Sequence, residues 1–267
     1  MIYNENVRVV SNSLIASNTY ETTLESISIS KEVKPGQFVN ILPSSDFPML
    51  MRRPMSISGV SDNTFNIIYK AVGEGTNLMS NWDVGDVIDM IGPLGNSWDN
   101  YLDKKPVLIG GGVGIAPILF FHTFLNTNNI SHSLIMGART QEEHFMTHNP
   151  EEGVYLTTDD GSMGIKGNIS DALEQAYQSE SESDCKFFVC GPPLMMEFLR
   201  KHSIQKDIEC DIALETVMAC GIGICQGCAM ELCEDESKIK STYRERFGLV
   251  CMDGPIFKSK DIKTCLI

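Results

Sequence analysis

The stretch Ala219–Cys228, ACGIGICQGC, constrains this chain more than any other. It sets Cys220, Cys225 and Cys228 at the spacing C-x4-C-x2-C. That spacing wraps three thiolates around a compact inorganic core, and plant-type [2Fe-2S] sites use it with a distant fourth cysteine. Gly221, Gly223 and Gly227 lie between the cysteines, where amides must approach sulfur closely and tight or left-handed turns are needed. Two later cysteines compete for the fourth position. Cys233 sits in an acidic run, Glu231-Leu232-Cys233-Glu234-Asp235-Glu236, whose charge disfavours a thiolate cluster. Cys251 sits in Cys251-Met252-Asp253-Gly254-Pro255, a turn sequence suited to a ligand loop, and electrostatics favours it. Structural zinc is the competing use of four cysteines. Zinc pairs usually come as two separated C-x2-C units, and only Cys225 and Cys228 form one here. An iron–sulfur cluster would make this a carrier of single electrons.

A chain of 267 residues leads us to expect two or three compact units. No apolar run is long enough to span a membrane. The first twenty residues lack a basic segment followed by an apolar one, so no secretory signal is expected. With three of nine cysteines at ligand spacing, a reducing cytoplasmic setting is expected, and Cys185, Cys210 and Cys265 read as ordinary free thiols. A formal net charge of −14 argues against broad nucleic-acid binding.

Residues up to about 102 read as β-rich. Thr22–Ile29 alternates at period two, and Gln37–Ile41 and Phe65–Val72 look similar. Pro35-Gly36, Asp62-Asn63 and Val84-Gly85-Asp86 punctuate them, as in a sandwich or small barrel. From 103 to about 208 the pattern changes to strand–helix alternation. Pro106–Ile109, Ser133–Gly137, Val154–Thr158 and Lys186–Cys190 are short apolar strands, with helices expected over Ile115–Leu125 and Ile169–Tyr177. A parallel α/β sheet follows. Gln178–Asp184 reads as an acidic loop. From 209 to 267 the chain turns to Cys, Gly and charge, and a cluster must help hold so short a piece together.

Four further motifs bear on chemistry. In Arg52-Arg53-Pro54-Met55-Ser56, an Arg suits a pyrophosphate, and Ser56 could bring a hydroxyl to a ring nitrogen. Val72-Gly73-Glu74-Gly75-Thr76 opens a helix, where free amides attract phosphate and Thr76 can cap; an ordinary turn and cap is the alternative. Gly110–Pro117, with Gly112 and Gly114, joins strand to helix at the position of a nucleotide-phosphate loop, or of tight strand–helix packing. Cys190-Gly191-Pro192 ends a later strand at the same sheet edge, where Cys190 is either functional or an inert buried thiol. Arg139 and Gln141-Glu142-Glu143 follow the second strand of the α/β unit: a carboxylate there suits a ribose diol, an Arg a 2′-phosphate. The five histidines are scattered, and no nucleophile–base pair stands out.

In order, RRPMSIS, VGEGTNLMS, GGGVGIAPI, MGART, CGPPLMM and ACGIGICQGC…CMDGP resemble the electron-transfer subunit of class 1B dihydroorotate dehydrogenase, in the ferredoxin-reductase-like superfamily. The resemblance covers nearly the whole chain. It implies a β plus α/β architecture: an antiparallel β-barrel FAD domain, a parallel α/β nicotinamide-binding domain and a small C-terminal [2Fe-2S] domain. It implies FAD contacts at Arg53, Pro54, Met55, Ser56, Tyr69, Lys70, Val72, Gly75 and Thr76. NAD contacts are implied at Gly112, Gly114, Pro117, Gly191 and Pro192, catalytic roles for Ser56 and Cys190, and cluster ligands at Cys220, Cys225, Cys228 and Cys251. The implied partner is an FMN-containing dihydroorotate dehydrogenase catalytic subunit, in a heterotetramer of two plus two, serving pyrimidine biosynthesis. Other readings are a reductase subunit of a hydrogenase or of a ferredoxin–NADP transhydrogenase, or a zinc-stabilised scaffold without enzymatic activity. Met230–Val250 is longer than the family's usual connection to the last cysteine.

Overall fold

Strand β1 (Tyr3–Ala16) is long enough to pair with two neighbours, and this closes a barrel. Its second half runs antiparallel to β2 (Thr19–Glu25) and its first half to β6 (Val87–Leu94). With β3 (Phe38–Ile41), β4 (Arg53–Ser61) and β5 (Thr64–Lys70), the closed order is β1-β2-β5-β4-β3-β6. Closure leaves no edge strand. Val9, Leu24, Ile57, Phe65 and Ile67 fill the interior, all fully buried. The computed structural model describes residues 1–44, 51–176, 184–233 and 242–266. Tyr177, the expected acidic loop up to residue 183 and Glu234-Asp235-Glu236 lie outside them.

The strand expected over Thr22–Ile29 stops at Glu25. Ser26 is the reason: its Oγ accepts from the Ile29 amide at 3.0 Å and caps helix α1 (Ile27–Glu32). A serine bonding an amide three residues on starts a helix whatever the alternation upstream.

The second sheet is built on β7 (Lys105–Gly111), β8 (Ser133–Ala138), β9 (Val154–Thr158), β10 (Ile165–Lys166), β11 (Cys185–Cys190) and β12 (Glu209–Ala213). Helices α3 (Ile115–Thr127), α4 (Ile169–Ala176) and α5 (Pro193–Lys206) accompany them; α2 (Glu74–Met79) belongs to the barrel side. The order is β10-β9-β8-β7-β11-β12-β15, with β15 (Ile256–Lys258) the antiparallel edge. The sheet thus continues past residue 208, the boundary expected from sequence, because Glu209–Ala213 pairs parallel to β11. Successive strands leave β7 on opposite sides, so a crevice opens at the C-terminal ends of β7 and β11. Helix α3 joins the two cores: Phe120 packs with the barrel residues and Phe121 with the sheet.

The C-terminal segment adds a two-stranded ladder, β13 (Ala229–Glu231) with β14 (Phe247–Leu249), and the short helix α6 (Tyr243–Arg246). Its tail is pinned to α5, where Glu197 accepts from the Cys265 amide at 2.9 Å and pairs with Arg200. None of the nine cysteines is in a disulfide. No helix among the described residues is long and apolar enough to cross a membrane.

One ion pair is buried in the α/β sheet. Lys186 Nζ on β11 meets Asp211 Oδ2 on β12 at 2.7 Å, with side-chain exposures of 3% and 6%. The ammonium also donates to the Asp99 carbonyl at 3.2 Å and lies over the Phe188 ring. Burial raises the Asp211 carboxyl and Lys186 pulls only part of that back. Removing one partner of such a pair strands the other charge. Asp211→Ala is therefore expected to destabilise the fold by about 3–5 kcal/mol in urea unfolding, while Lys186→Met combined with Asp211→Leu loses less than either single change.

Candidate functional site

A cavity of about 550 Å³ lies at the C-terminal edge of the α/β sheet. Gly112 and Pro192 line it, as the sequence suggested. Gly112 has φ +55 and a Cβ there would meet nothing within 4 Å, so its backbone is open to a ligand. Gly114 does a different job. A Cβ on it would fall 2.5 Å from the Gly191 backbone, so the loops after β7 and β11 touch main chain to main chain. Gly191 packs likewise against Gly111 and the Met195 side chain. Pro117 is buried in the first turn of α3 and does not line the cavity. Two of the five expected nicotinamide residues therefore face the cavity, and two hold its loops together.

A second cavity, about 290 Å³, lies between the barrel and the segment after β12. Pro54, Met55 and Ser56 of β4 line one side. Tyr69, Lys70, Val72 and Thr76 line another. The Tyr69 ring stacks on Tyr20, its hydroxyl donates to Asn12 Oδ1 at 3.2 Å, and burial pushes its pKa up to about 12. Thr76 is the third residue of α2, not its cap: Gly73 holds that position, and Thr76 Oγ1 accepts from the amides of Val72 and Gly73, both at 3.1 Å. Arg53 lies across this turn. A Cβ on Gly75 would begin 3.0 Å from the Arg53 Nε, so the guanidinium rests closely on the bare glycine backbone. Its neighbour Arg52 is structural, paired with Asp89 at 2.8 Å.

Lys70 lines both cavities, which therefore adjoin. Its Nζ crosses from the barrel to Glu143 of the α/β unit at 2.9 Å. Glu143 was a candidate ribose ligand from sequence, but its carboxylate is already held by Arg139 and Lys70, which keep its pKa at about 2. Sequence reasoning missed Glu215, which lines the second cavity just beyond β12. Burial raises its carboxyl pKa. Cys190 reaches the same sheet edge, next to Gly110, and its Sγ points at Glu215 Oε1, 4.0 Å away. Burial, then Glu215, pushes the Cys190 thiol well above its usual range, so it stays protonated and is no thiolate nucleophile.

The cysteines stand as two pairs. Cys225 N donates to Cys220 Sγ at 3.4 Å, and the Cys225 thiol also bonds that sulfur. Cys228 Sγ and Cys251 Sγ lie 3.2 Å apart. Among the described residues no three ligating side chains converge on a single ion. Three cysteines at C-x4-C-x2-C with a distant fourth suit a two-iron core better than one tetrahedral zinc. Gly221 and Gly223 adopt φ of +71 and +81, as the loop requires; beyond them the left-handed residue is Gln226, not Gly227. Burial raises the Cys220 thiol, but the Cys225 and Ile222 amides and the Cys225 thiol outweigh it and bring it to about 7. Burial and the adjacent Cys228 push Cys251 to about 12. A thiol pair this close ionises together only around a bound cation. Cys233 is elsewhere, its Sγ directed at the Ile262 carbonyl at 3.1 Å.

Asn40, fully buried on β3, donates from Nδ2 to the Cys220 carbonyl at 3.0 Å and the Ala219 carbonyl at 3.4 Å. Asn96 bonds the other ligand segment: its amide N donates to the Gly254 carbonyl at 2.7 Å, and its Oδ1 accepts from Ile256 N at 3.0 Å.

Comparisons with known proteins agree with this geometry. Residues 108–201 match the model of the oxidoreductase NAD-binding domain. Residues 215–263 match that of the iron-sulfur cluster binding domain of dihydroorotate dehydrogenase B. The solved NADH-dependent reduced ferredoxin-NADP oxidoreductase superposes with a TM-score of 0.81 at 26% identity, covering 97% of this chain and 90% of that one. A ferredoxin reductase of carbazole 1,9a-dioxygenase shares the fold at TM-score 0.66 and 20% identity, over 78% of this chain and 67% of that one. Fold and site define a flavin- and iron–sulfur-dependent oxidoreductase of the ferredoxin-reductase type, with FAD, a [2Fe-2S] cluster and NAD as its cofactors. The electron transfer subunit of dihydroorotate dehydrogenase B (NAD(+)) from Caldanaerobacter subterraneus subsp. tengcongensis is 34% identical over 96% of both chains. That of Fusobacterium nucleatum is 32% identical over 97% of this chain and 98% of its own. The chain belongs to the family of electron transfer subunits of NAD-dependent dihydroorotate dehydrogenase B. The zinc-scaffold reading is thereby overturned.

The sulfur pairing separates the two contenders for the fourth ligand. Cys251→Ala is expected to lose the cluster, with iron per chain and visible iron–sulfur absorbance falling to baseline, while Cys233→Ala keeps both. The reverse pattern would remove Cys251 from the ligand set.

Proposed function

We propose that this chain works in the cytoplasm as half of a two-plus-two heterotetramer, passing electrons from a partner's FMN to NAD+ while the orotate chemistry stays on the partner. Residues 1–102 hold FAD, 103–208 hold the nicotinamide and 209–267 hold the cluster; the last boundary is one of function, since β12 and β15 pair in the α/β sheet. When bound, FAD exchanges a hydride with nicotinamide and single electrons with the cluster. The chain's own residues bind and orient. Arg53, resting on Gly75 beside the turn that Thr76 closes, supplies a cationic donor to a diphosphate. Ser56 presents its hydroxyl to the ring edge. Cys190 is buried with its Sγ 4.0 Å from Glu215 Oε1, and Glu215 lines the flavin cavity. Gly112 and Pro192 admit the nicotinamide half from the sheet side. Cys220, Cys225, Cys228 and Cys251 hold the cluster.

The observation that carries this reading is adjacency. The two cavities share Lys70, and Leu214, Glu215, Thr216 and Met218, which lead into Cys220, together with Pro255, just beyond Cys251, wall the second one. The test is reconstitution. The isolated chain should oxidise NADH with artificial acceptors and leave dihydroorotate untouched. Adding the FMN subunit should give dihydroorotate-to-NAD+ transfer, in a complex whose mass by sedimentation matches two of each chain. Cys225→Ala should block transfer but spare the partner's own half-reaction. Dihydroorotate turnover by the isolated chain would refute the division of labour.

A further inference from the structure

Strand β3 carries one polar side chain among apolar ones. Phe38, Val39 and Ile41 are buried, and so is Asn40, at 0% exposure. Its Nδ2 donates to the Cys220 carbonyl at 3.0 Å and the Ala219 carbonyl at 3.4 Å. Two carbonyls facing one end of the amide fix the NH2 group there. Oδ1 therefore takes the other end, and among the described residues it has no partner. A buried acceptor left unsatisfied costs more than a net hydrogen bond returns. Packing alone would place an apolar residue here, and a polar one kept at this cost marks a position where another demand wins.

That demand comes from the loop of Cys220. The Cys220 sulfur takes hydrogen bonds from the amides of Cys225, at 3.4 Å, and of Ile222 and Ile224. The peptide bond is planar, so holding the Cys220 carbonyl also fixes the plane of the Gly221 N–H. Gly221, at φ +71, then turns the chain so that the Ile222 amide faces back to the sulfur. Asn40 and Gly221 fit one another closely: a Cβ on Gly221 would fall 2.7 Å from the Asn40 Nδ2. The barrel thus holds the loop by its carbonyls, while its amides turn to a ligand sulfur. An iron–sulfur cluster gains negative charge on reduction, and hydrogen bonds to its sulfurs favour that form.

We propose that Asn40 is a positioning residue for the cluster: by holding the Ala219 and Cys220 carbonyls it keeps the loop amides on the Cys220 sulfur, and so raises the cluster's reduction potential. The flavin cavity is lined by Phe38 on the same strand and by Pro54, the register partner of Asn40, but not by Asn40 itself. The effect is therefore confined to the cluster. This rests on Cys220 being a cluster ligand.

The test is anaerobic redox titration of the full chain loaded with flavin and cluster, reading the cluster by electron paramagnetic resonance and the flavin by absorbance. Asn40→Leu removes the donor at similar size, and Asn40→Ala removes the side chain. Both should move the cluster midpoint to more negative potential and leave the flavin midpoint where it is. Gly221→Ala, which acts on the same contact from the loop side, should move the cluster in the same direction. Iron and flavin per chain report loading and folding. An unmoved or more positive cluster midpoint in the loaded Asn40 variants overturns the proposal. An equal shift of both centres, the mark of a general distortion of the barrel, overturns it too. Iron lost from both Asn40 variants with flavin retained would make Asn40 an assembly residue and also overturn it. If neither Asn40 variant holds flavin, the cluster midpoint of Gly221→Ala decides by the same criteria. Wild type that holds flavin but no iron would overturn the cluster assignment itself.

Discussion

The amide of Asn40 joins the two redox sites. It is a buried polar side chain in an otherwise apolar strand, and it spends its N–H donors on the carbonyls of Ala219 and Cys220. Its register partner across the barrel is Pro54, which lines the flavin cavity. A single side chain thus ties the first cluster ligand to the strand that walls the flavin. Gly221 must be glycine for the same reason, since a Cβ there would sit 2.7 Å from the Asn40 Nδ2. Asn96 does for the Cys251 segment what Asn40 does for Cys220. Each hydrogen bond is worth only about 1 kcal/mol net, but an unmade one in a buried site costs more. The ligand loops are therefore tied to the barrel strand β3 and to the segment that follows β6.

The nicotinamide side is held differently. Helix α3 packs Phe120 into the barrel core and Phe121 into the sheet core, so the two units share one apolar helix. On the surface, Lys70 reaches Glu143, and the Ser17 amide donates to the Glu142 carbonyl at 3.0 Å. These contacts surround the place where the two cavities meet. The contacts that join the two units therefore sit where nicotinamide must approach flavin.

Much of this was legible in the sequence, for physical reasons. The cysteine spacing is local chemistry, and tertiary context changes it little. Parallel strands buried on both faces read as short apolar runs, and Val154–Thr158 is found as expected. What stayed hidden was set by contacts between distant residues. Asn40 is one polar residue in Phe38-Val39-Asn40-Ile41, and nothing nearby says that its partner lies 180 positions away. Glu215 belongs to no motif, although a carboxylate amid apolar residues between a strand and the cysteine loop was a signal in hindsight. Glu143 sits in a run of acids whose members differ only in what the fold brings to them. Gly114 and Gly191 read as ligand contacts because a glycine that touches another backbone looks, in sequence, like one that touches a phosphate.

The central claim is that electrons from nicotinamide reach the cluster only through the flavin cavity. Anaerobic titration of the purified chain with NADH, following flavin absorbance and the electron paramagnetic resonance signal of the reduced cluster, tests it directly. The account predicts that both centres are reduced in the flavin-loaded chain. After flavin is stripped, NADH should leave the cluster oxidised while dithionite still reduces it. Reduction of the cluster by NADH in the flavin-free chain would contradict the account.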